Sequence, residues 1–255
     1  MNRILFEPGE IADGIAVFGG ARAEHVRSVL HGEVGQILKT GEVNGKIGTG
    51  EILELGETVR VRVRHDGEPL RPWVDLVLAP PRPRILKRLL PQLAALGVGQ
   101  IVLVGAQKVE KDFWGATLLK EANYRPLLID GLMQGCVSSL VPTVETRRNF
   151  RRFVTDELET RFPTANRLVA HPYEQGRGNG ERGTGKRGRL VLAIGPEGGW
   201  TDEEVARLEA QGFSRYSLGP RILRTDTATV ALLAQLMLRN DCSNRNANQN
   251  EGACT

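Results

Sequence analysis

Leu190-Val191-Leu192-Ala193-Ile194-Gly195-Pro196-Glu197-Gly198-Gly199-Trp200-Thr201-Asp202-Glu203-Glu204 is the stretch whose reading decides the fold. An unbroken apolar run reads as a buried strand, and a glycine-rich turn follows it. Thr201 and Glu204 then form a T-x-x-E capping box that opens a helix. Buried strands that feed helices through tight turns build α/β sheets, and ligands of such sheets bind beyond the carboxyl ends of the strands. Gly195, Gly198 and Gly199 allow the backbone to come close to a ligand; a purely structural turn is the alternative. A phosphate loop is excluded. The chain has no G-x-x-x-x-G-K-[ST], and Pro196 and Glu197 stand where phosphate-cradling N–H groups and a lysine are needed.

A second stretch repeats the pattern: Ser217-Leu218-Gly219-Pro220-Arg221-Ile222-Leu223-Arg224-Thr225-Asp226-Thr227-Ala228. A strand runs into Gly-Pro, and a helix begins near Thr225–Asp226. Asp226 in a first helical turn complements the helix dipole, which is a sufficient structural role for it. The dipole does not account for Arg221 and Arg224 beside a glycine turn. If the strands before the two Gly-Pro loops are near neighbours, the loops lie side by side.

Outward from these motifs, the region after Arg71-Pro72-Trp73 alternates apolar runs with helical periodicity. Strands are predicted at Val74–Ala79, Gln100–Gly105, Arg167–Ala170, Leu190–Ile194 and Arg215–Leu218. Helices are predicted at Arg84–Leu96, Phe113–Asn123, Pro126–Leu140, Arg147–Arg161, Thr201–Gln211 and Thr225–Leu238. The fold class is α/β with a mostly parallel sheet. Residues 1–72 read differently, as short strands between Gly and Asp-Gly turns. There Val59, Val61 and Val63 alternate with Arg60, Arg62 and Arg64, the mark of a half-buried strand, and Ala21–Leu30 is the single helical pattern. A compact β-barrel-like module fits. Domains are therefore expected at 1–72 and 73–239. Glu174–Arg189, rich in Gly, Lys and Arg, reads as a flexible basic surface loop, and 240–255 as a disordered tail.

The formal net charge is +4, too small by itself to announce a polyanionic partner. Its distribution says more. Residues 82–152 carry 12 Lys+Arg against 5 Asp+Glu, whereas residues 1–81 carry 9 against 12. Arg82, Arg84, Lys87 and Arg88 cluster where the first helix of the second domain begins. Arg147, Arg148, Arg151 and Arg152 recur at i, i+1, i+4 and i+5, which puts them on one face of the predicted helix 147–161. Both clusters suit the phosphates of a polyanion; a solvated charged face is the alternative. Trp73 and Trp114 read as packing residues. Cys136, Cys242 and Cys254 lack metal spacing, and the four histidines offer none either, so no metal site and no disulfide framework are expected. His25 reads as a structural helix residue, and His171 ends a strand on the presumed ligand side. No run approaches the roughly 18–20 apolar residues of a membrane span, and the opening MNRILFEPGE lacks a signal-peptide pattern, so a cytoplasmic protein is expected.

The two motifs together resemble the C-terminal signature of the ribosomal RNA small subunit methyltransferase E family, one of the SPOUT methyltransferases. Gly212-Phe213, the opening Met1-Asn2-Arg3-Ile4-Leu5-Phe6, the Glu24–Leu30 helix and Leu96-Gly97-Val98 echo further family positions. The chain departs from the pattern at His31, where the family has Arg. Asp130–Ser139 replaces Glu-Ala-Ala-Glu-Gln-Ser-Gly-Arg, and Asp226 replaces Glu. The resemblance implies a PUA-like RNA-binding barrel followed by an α/β domain with a deep trefoil knot. It also implies S-adenosyl-L-methionine as cofactor, a homodimer, and methylation of uracil N3 in small-subunit (16S) ribosomal RNA. The implied cofactor wall is Ile194, Gly195, Pro196, Glu197, Gly198, Gly199, Leu218, Gly219, Ile222, Leu223, Thr225 and His171. Arg224 is the first choice for electrostatic catalysis, with Arg221 beside it; Glu197 is a candidate base and Asp226 a weaker one. RNA contacts are expected from Arg82, Arg84, Lys87, Arg88, Arg147, Arg148 and Arg151. Other readings are the same fold acting on a ribose 2′-oxygen or a tRNA base, and an inactive RNA-binding assembly factor.

Overall fold

The computed structural model describes residues 2–163, 165–172 and 189–251, with side chains described as far as Arg239. The Glu174–Arg189 loop, apart from Arg189 itself, lies outside the described residues, as do 252–255. Contacts gather the chain into two compact units. The first holds the chain up to Pro72 together with Leu90–Gly99 and Lys120–Pro142; the second holds Trp73–Leu89, Gln100–Leu119 and the chain from Thr143 onward. The chain thus first changes unit at the break near Arg71-Pro72-Trp73 and afterwards returns to the first unit twice.

The first unit is built on a curled, mixed six-stranded sheet, a half-barrel. Its strands are β1 (Ile4–Phe6), β2 (Ile11–Ala12), β3 (Ile15–Phe18), β4 (Ile37–Glu42), β5 (Ile47–Leu55) and β6 (Val59–Gly67), in the order β1-β4-β5-β6-β3-β2. Only β1 and β4 pair in parallel; the other ladders are antiparallel. The alternation on β6 behaves as its pattern requires. Val59 and Val61 are buried with Ile4, Phe6, Phe18 and Ile52, while Arg60 and Arg62 point outward to Glu54 and Glu51 on β5, at 3.0 Å each. Helix α1 (Gly20–Ser28) adds Ala23 and Val26 to this core.

The second unit carries the parallel sheet. Its strands are β7 (Val74–Leu78), β8 (Val98–Val104), β9 (Thr143–Arg147), β10 (Asn166–Ala170), β11 (Leu190–Ile194) and β12 (Ser214–Tyr216), in the order β12-β10-β11-β7-β8-β9. The registers of β10 with β11 and β12, of β11 with β7, and of β8 with β9 are all parallel. Every residue of β7 and β11 is buried, as expected of strands covered on both faces. Asp75 is the exception in chemistry. Burial pushes its carboxyl up, against the opposing pull of Arg189, which donates to it at 2.7 Å, and of the Gln100 N–H, also at 2.7 Å. The helices are α2 (Pro83–Ala95), α3 (Glu121–Gly135, in the first unit), α4 (Phe150–Arg152), α5 (Leu158–Arg161), α6 (Asp202–Ala210) and α7 (Thr225–Glu251).

Four helix expectations are corrected. The predicted helix 113–123 is two 3-10 turns, Lys111–Gly115 and Thr117–Leu119, because Ala116 takes an extended conformation between them. The predicted helix 126–140 starts earlier, as α3, and stops at Cys136, whose left-handed backbone (φ 68°) ends it. The predicted helix 147–161 loses its start to β9, where Thr143–Arg147 pairs with β8. Helix begins only after Asn149, whose side-chain oxygen accepts from the Arg152 N–H at 3.0 Å. Finally, α7 continues to Glu251, so residues 240–251 of the expected disordered tail have helical backbone. Once a helix is nucleated, each further residue adds at little cost.

Glu145 on β9 provides a test of the second unit. Hydrogen bonding to Arg161 holds its carboxyl below the usual glutamate range against the opposing effect of burial, and the charges of Arg161 and Arg147 assist. The unfolded chain then takes up this proton at higher pH than the folded one. The stabilisation is complete above the ordinary glutamate range and is lost as pH falls through the lowered value. Glu145→Gln is expected to shallow the acid limb of the stability–pH curve and to leave its shape near neutrality unchanged, as read from urea midpoints between pH 3 and 7.

Candidate functional site

Parallel strands all end at one edge, so the loops after β10, β11 and β12 emerge together. They enclose a cavity of about 350 Å³, within the usual size range of small-molecule sites. The loop after β11 lines it through Gly195–Trp200, and the loop after β12 through Ser217, Leu218, Gly219, Arg221, Ile222 and Leu223. Ala170, His171 and Pro172 after β10 complete the lining together with Thr225, Ala228 and Leu232 of α7. The two motifs of the sequence thus meet across β10, which separates their strands in the sheet.

The walls are shaped by backbone. Gly199 (φ +69°) and Gly219 (φ +107°) occupy the left-handed region, where a side chain is strained although a Cβ would touch nothing within 4 Å. The capping box is formed as read: the Thr201 hydroxyl accepts from the Glu204 N–H at 3.3 Å and the Glu204 carboxylate accepts from the Thr201 N–H at 2.8 Å. Trp200 is buried on the wall against Phe150, with ring centroids 5.3 Å apart, and its indole N–H has no partner among the described residues.

Every residue assigned above to the cofactor wall lines this cavity. Ile194 is buried, Leu223 is part-exposed, and Ile222 is 90% exposed although it borders the cavity. His171 donates its backbone N–H to the Tyr216 carbonyl at 3.1 Å. Ala170, Pro172, Trp200, Tyr216, Ser217, Ala228 and Leu232 also line it and were not anticipated. A signal existed for two of them, since Ala228 and Leu232 lie three and seven residues after Thr225 on one helix face. Tyr216 donates its hydroxyl to Gln235 at 2.9 Å. Burial pushes the phenol up, with the nearby Arg239 opposing, and the group stays neutral near pH 7.

The charged residues sort differently from expectation. Arg221 lies on the cavity wall, whereas Arg224 is exposed and does not line it. Neither side chain has an ionic or hydrogen-bonding partner among the described residues. Glu197 accepts the Arg82 backbone N–H at 3.0 Å through Oε1, which ties the loop after β11 to the start of α2. Asp226 pairs with Arg88 at 3.0 Å, so an expected catalytic carboxylate and an expected RNA contact neutralise each other. The basic helix face 147–152 does not form. Arg147 belongs to β9 and lies between Glu157 (2.6 Å) and Glu145 (2.8 Å), while Arg148 stacks over Trp114 with its guanidinium 5.8 Å from the ring centre. Arg82, Arg84, Lys87 and Arg151 are exposed. Among the described residues there is no cluster of His, Cys, Asp and Glu able to hold a metal, and no helix is long and apolar enough to cross a membrane.

A family model described as an RNA methyltransferase domain matches residues 68–237. The ribosomal RNA small subunit methyltransferase E of Treponema pallidum is 30% identical over 243 residues, covering 93% of this chain and 91% of that one. Ribosomal RNA small subunit methyltransferase E 1 of Borreliella burgdorferi is 24% identical over 246 residues, covering 91% and 95%. Among solved structures, a Legionella pneumophila methyltransferase with bound cofactor SAM superposes with a TM-score of 0.70 at 26% identity, over 93% of this chain and 97% of that one. The small subunit methyltransferase E of Neisseria gonorrhoeae, bound to S-adenosyl methionine, shares the fold with a TM-score of 0.72 at 22% identity, over 93% and 97%. With the RNA methyltransferase model spanning residues 68–237 and a relative 30% identical over 93% of the chain, this protein belongs to the ribosomal RNA small subunit methyltransferase E family.

Proposed function

We propose that this chain transfers a methyl group from S-adenosylmethionine to N3 of a uracil in small-subunit ribosomal RNA. The observation that carries the reading is the convergence of both family motifs on one cavity at the carboxyl edge of the parallel sheet. The cavity fits the cofactor. Ile194, Leu218 and Leu223 supply apolar contacts for an adenine. The loop backbones supply donors and acceptors. When bound, the cofactor supplies an electrophilic methyl carbon on a sulfonium.

The chain's own residues then have two tasks. One is alignment of donor and acceptor, which the rigid walls perform. The other is management of charge, because uracil N3 carries a proton at neutral pH. Arg221, on the wall and without a competing carboxylate, stabilises the negative charge that develops on a uracil oxygen. Arg224, exposed and off the wall, is assigned to contact with the RNA. Asp226 is neutralised by Arg88, whereas Glu197 keeps one carboxylate oxygen uncommitted among the described residues and is the better candidate to receive the proton.

The half-barrel unit, with exposed Arg84, Lys87 and Arg151 of the second unit, serves ribosomal RNA in this reading. A homodimer belongs to it as well, supported by the exposure of Ile222 (90%) and Leu238 (64%). So do the trefoil knot that the resemblance implies and a cytoplasmic location beside the ribosome.

Two measurements test the proposal. Mass mapping of ribosomal RNA from a deletion strain is expected to lack one methyl on a small-subunit uracil, restored by the wild-type gene. An unchanged map overturns the substrate, and a methyl missing from a ribose or a tRNA moves the same chemistry to another target. In single-turnover assays Arg221→Ala is expected to slow methyl transfer about 10²–10³-fold, with calorimetric affinity for S-adenosylmethionine changed far less. Arg224→Ala is expected to slow it less than Arg221→Ala, and the reverse order would return the catalytic role to Arg224.

A further inference from the structure

The residues of the loop after β11 line the cavity, and the loops that follow β7 and β8 hold it from outside the lining set. Two contacts make this grip, and a third holds the first turn of α6. The Arg82 backbone N–H donates to Glu197 and Lys108 Nζ donates to the Gly198 carbonyl at 2.8 Å, while the Gln107 backbone N–H donates to Glu204 at 2.7 Å. Lys108 is therefore the one partner in this grip that acts through its own side chain, and it does not line the cavity. Its stem also lies against the loop, since a Cβ placed on Gly198 would sit 2.9 Å from Lys108 Cδ. A side chain at Gly198 would therefore have to displace the lysine stem.

We infer that Lys108 is a positioning residue for the methyl-donor loop, acting through the Gly198 carbonyl rather than by contact with the cofactor. The inference rests on the methyl-donor reading of the cavity. A ligand recognised through backbone groups is bound only as well as that backbone is held, because a loop that must be ordered on binding loses affinity to the ordering. Lys108 is exposed and has no carboxylate partner among the described residues, so the hydrogen bond to Gly198 is what gives its position a purpose.

The test uses the full chain. Calorimetric titration with S-adenosylmethionine is expected to show about three- to tenfold weaker binding for Lys108→Met, the effect of losing one charge-assisted hydrogen bond near the surface. Lys108→Arg, which keeps a donor and the charge, is expected to recover most of that loss. In steady state the KM for S-adenosylmethionine rises while kcat and the KM for RNA hold. Gly198→Ala, which displaces the lysine stem, should weaken binding too, and the double variant Gly198→Ala/Lys108→Met should be less impaired than the two effects added. Wild-type affinity in Lys108→Met, or equal weakness in Lys108→Arg and Lys108→Met, overturns the inference. If wild type itself binds no S-adenosylmethionine, the functional reading fails instead. The positioning claim then stands or falls on amide exchange, expected to be faster at Gly198–Thr201 in Lys108→Met and unchanged if Lys108 holds nothing.

Discussion

Parallel pairing of β11 with β7 and β10 is the constraint on which the rest depends. Parallel strands carry their carboxyl ends to the same edge, so the loops after β7, β10, β11 and β12 emerge together whatever their sequence separation. Residues 171, 195–200, 217–219, 221–223 and 225 then surround one volume although α6 and two strands intervene in the chain. The complete burial of β7 and β11 makes this arrangement stiff, because every side chain on those strands is packed from both faces.

Charge in the second unit falls into two classes. Arg147, Arg161 and Arg88 are matched to Glu145, Glu157 and Asp226. Arg221, Arg224, Arg84 and Lys87 have no carboxylate partner among the described residues. A count of basic residues cannot separate these classes, because a guanidinium beside a carboxylate has its field cancelled at short range and one facing solvent does not. The excess positive charge of residues 82–152 is correspondingly less available than its sum suggests.

Much of the fold was legible. An unbroken apolar run marked β11, a run broken only by Asp75 marked β7, and a strict alternation marked β6. The Thr201/Glu204 capping box placed the start of α6 to the residue. The misreadings share a cause. Thr143–Arg147 is short and polar enough to pass for the start of the helix after it, and only pairing with β8 makes it a strand. The helix expected over 113–123 is interrupted by one extended residue, Ala116, that no periodicity announces. The cavity wall was legible where motif residues carry it. It was not legible at Pro172 or Tyr216, which join it because β10 and β12 are adjacent in the sheet.

By itself, then, the sequence determined the α/β class, the two Gly-Pro loops and the family they signal, since these depend on local apolar runs, glycines and caps. Only the tertiary structure decided which charges are free. It took Arg224 off the wall and left Arg221 on it, it neutralised Asp226 with Arg88, and it set Lys108 behind Gly198. The physical reason is that a charged side chain takes its role from what lies within a few ångströms of it, and those neighbours, 138 residues away for Asp226 and 90 for Gly198, are brought close by strand order and not by sequence.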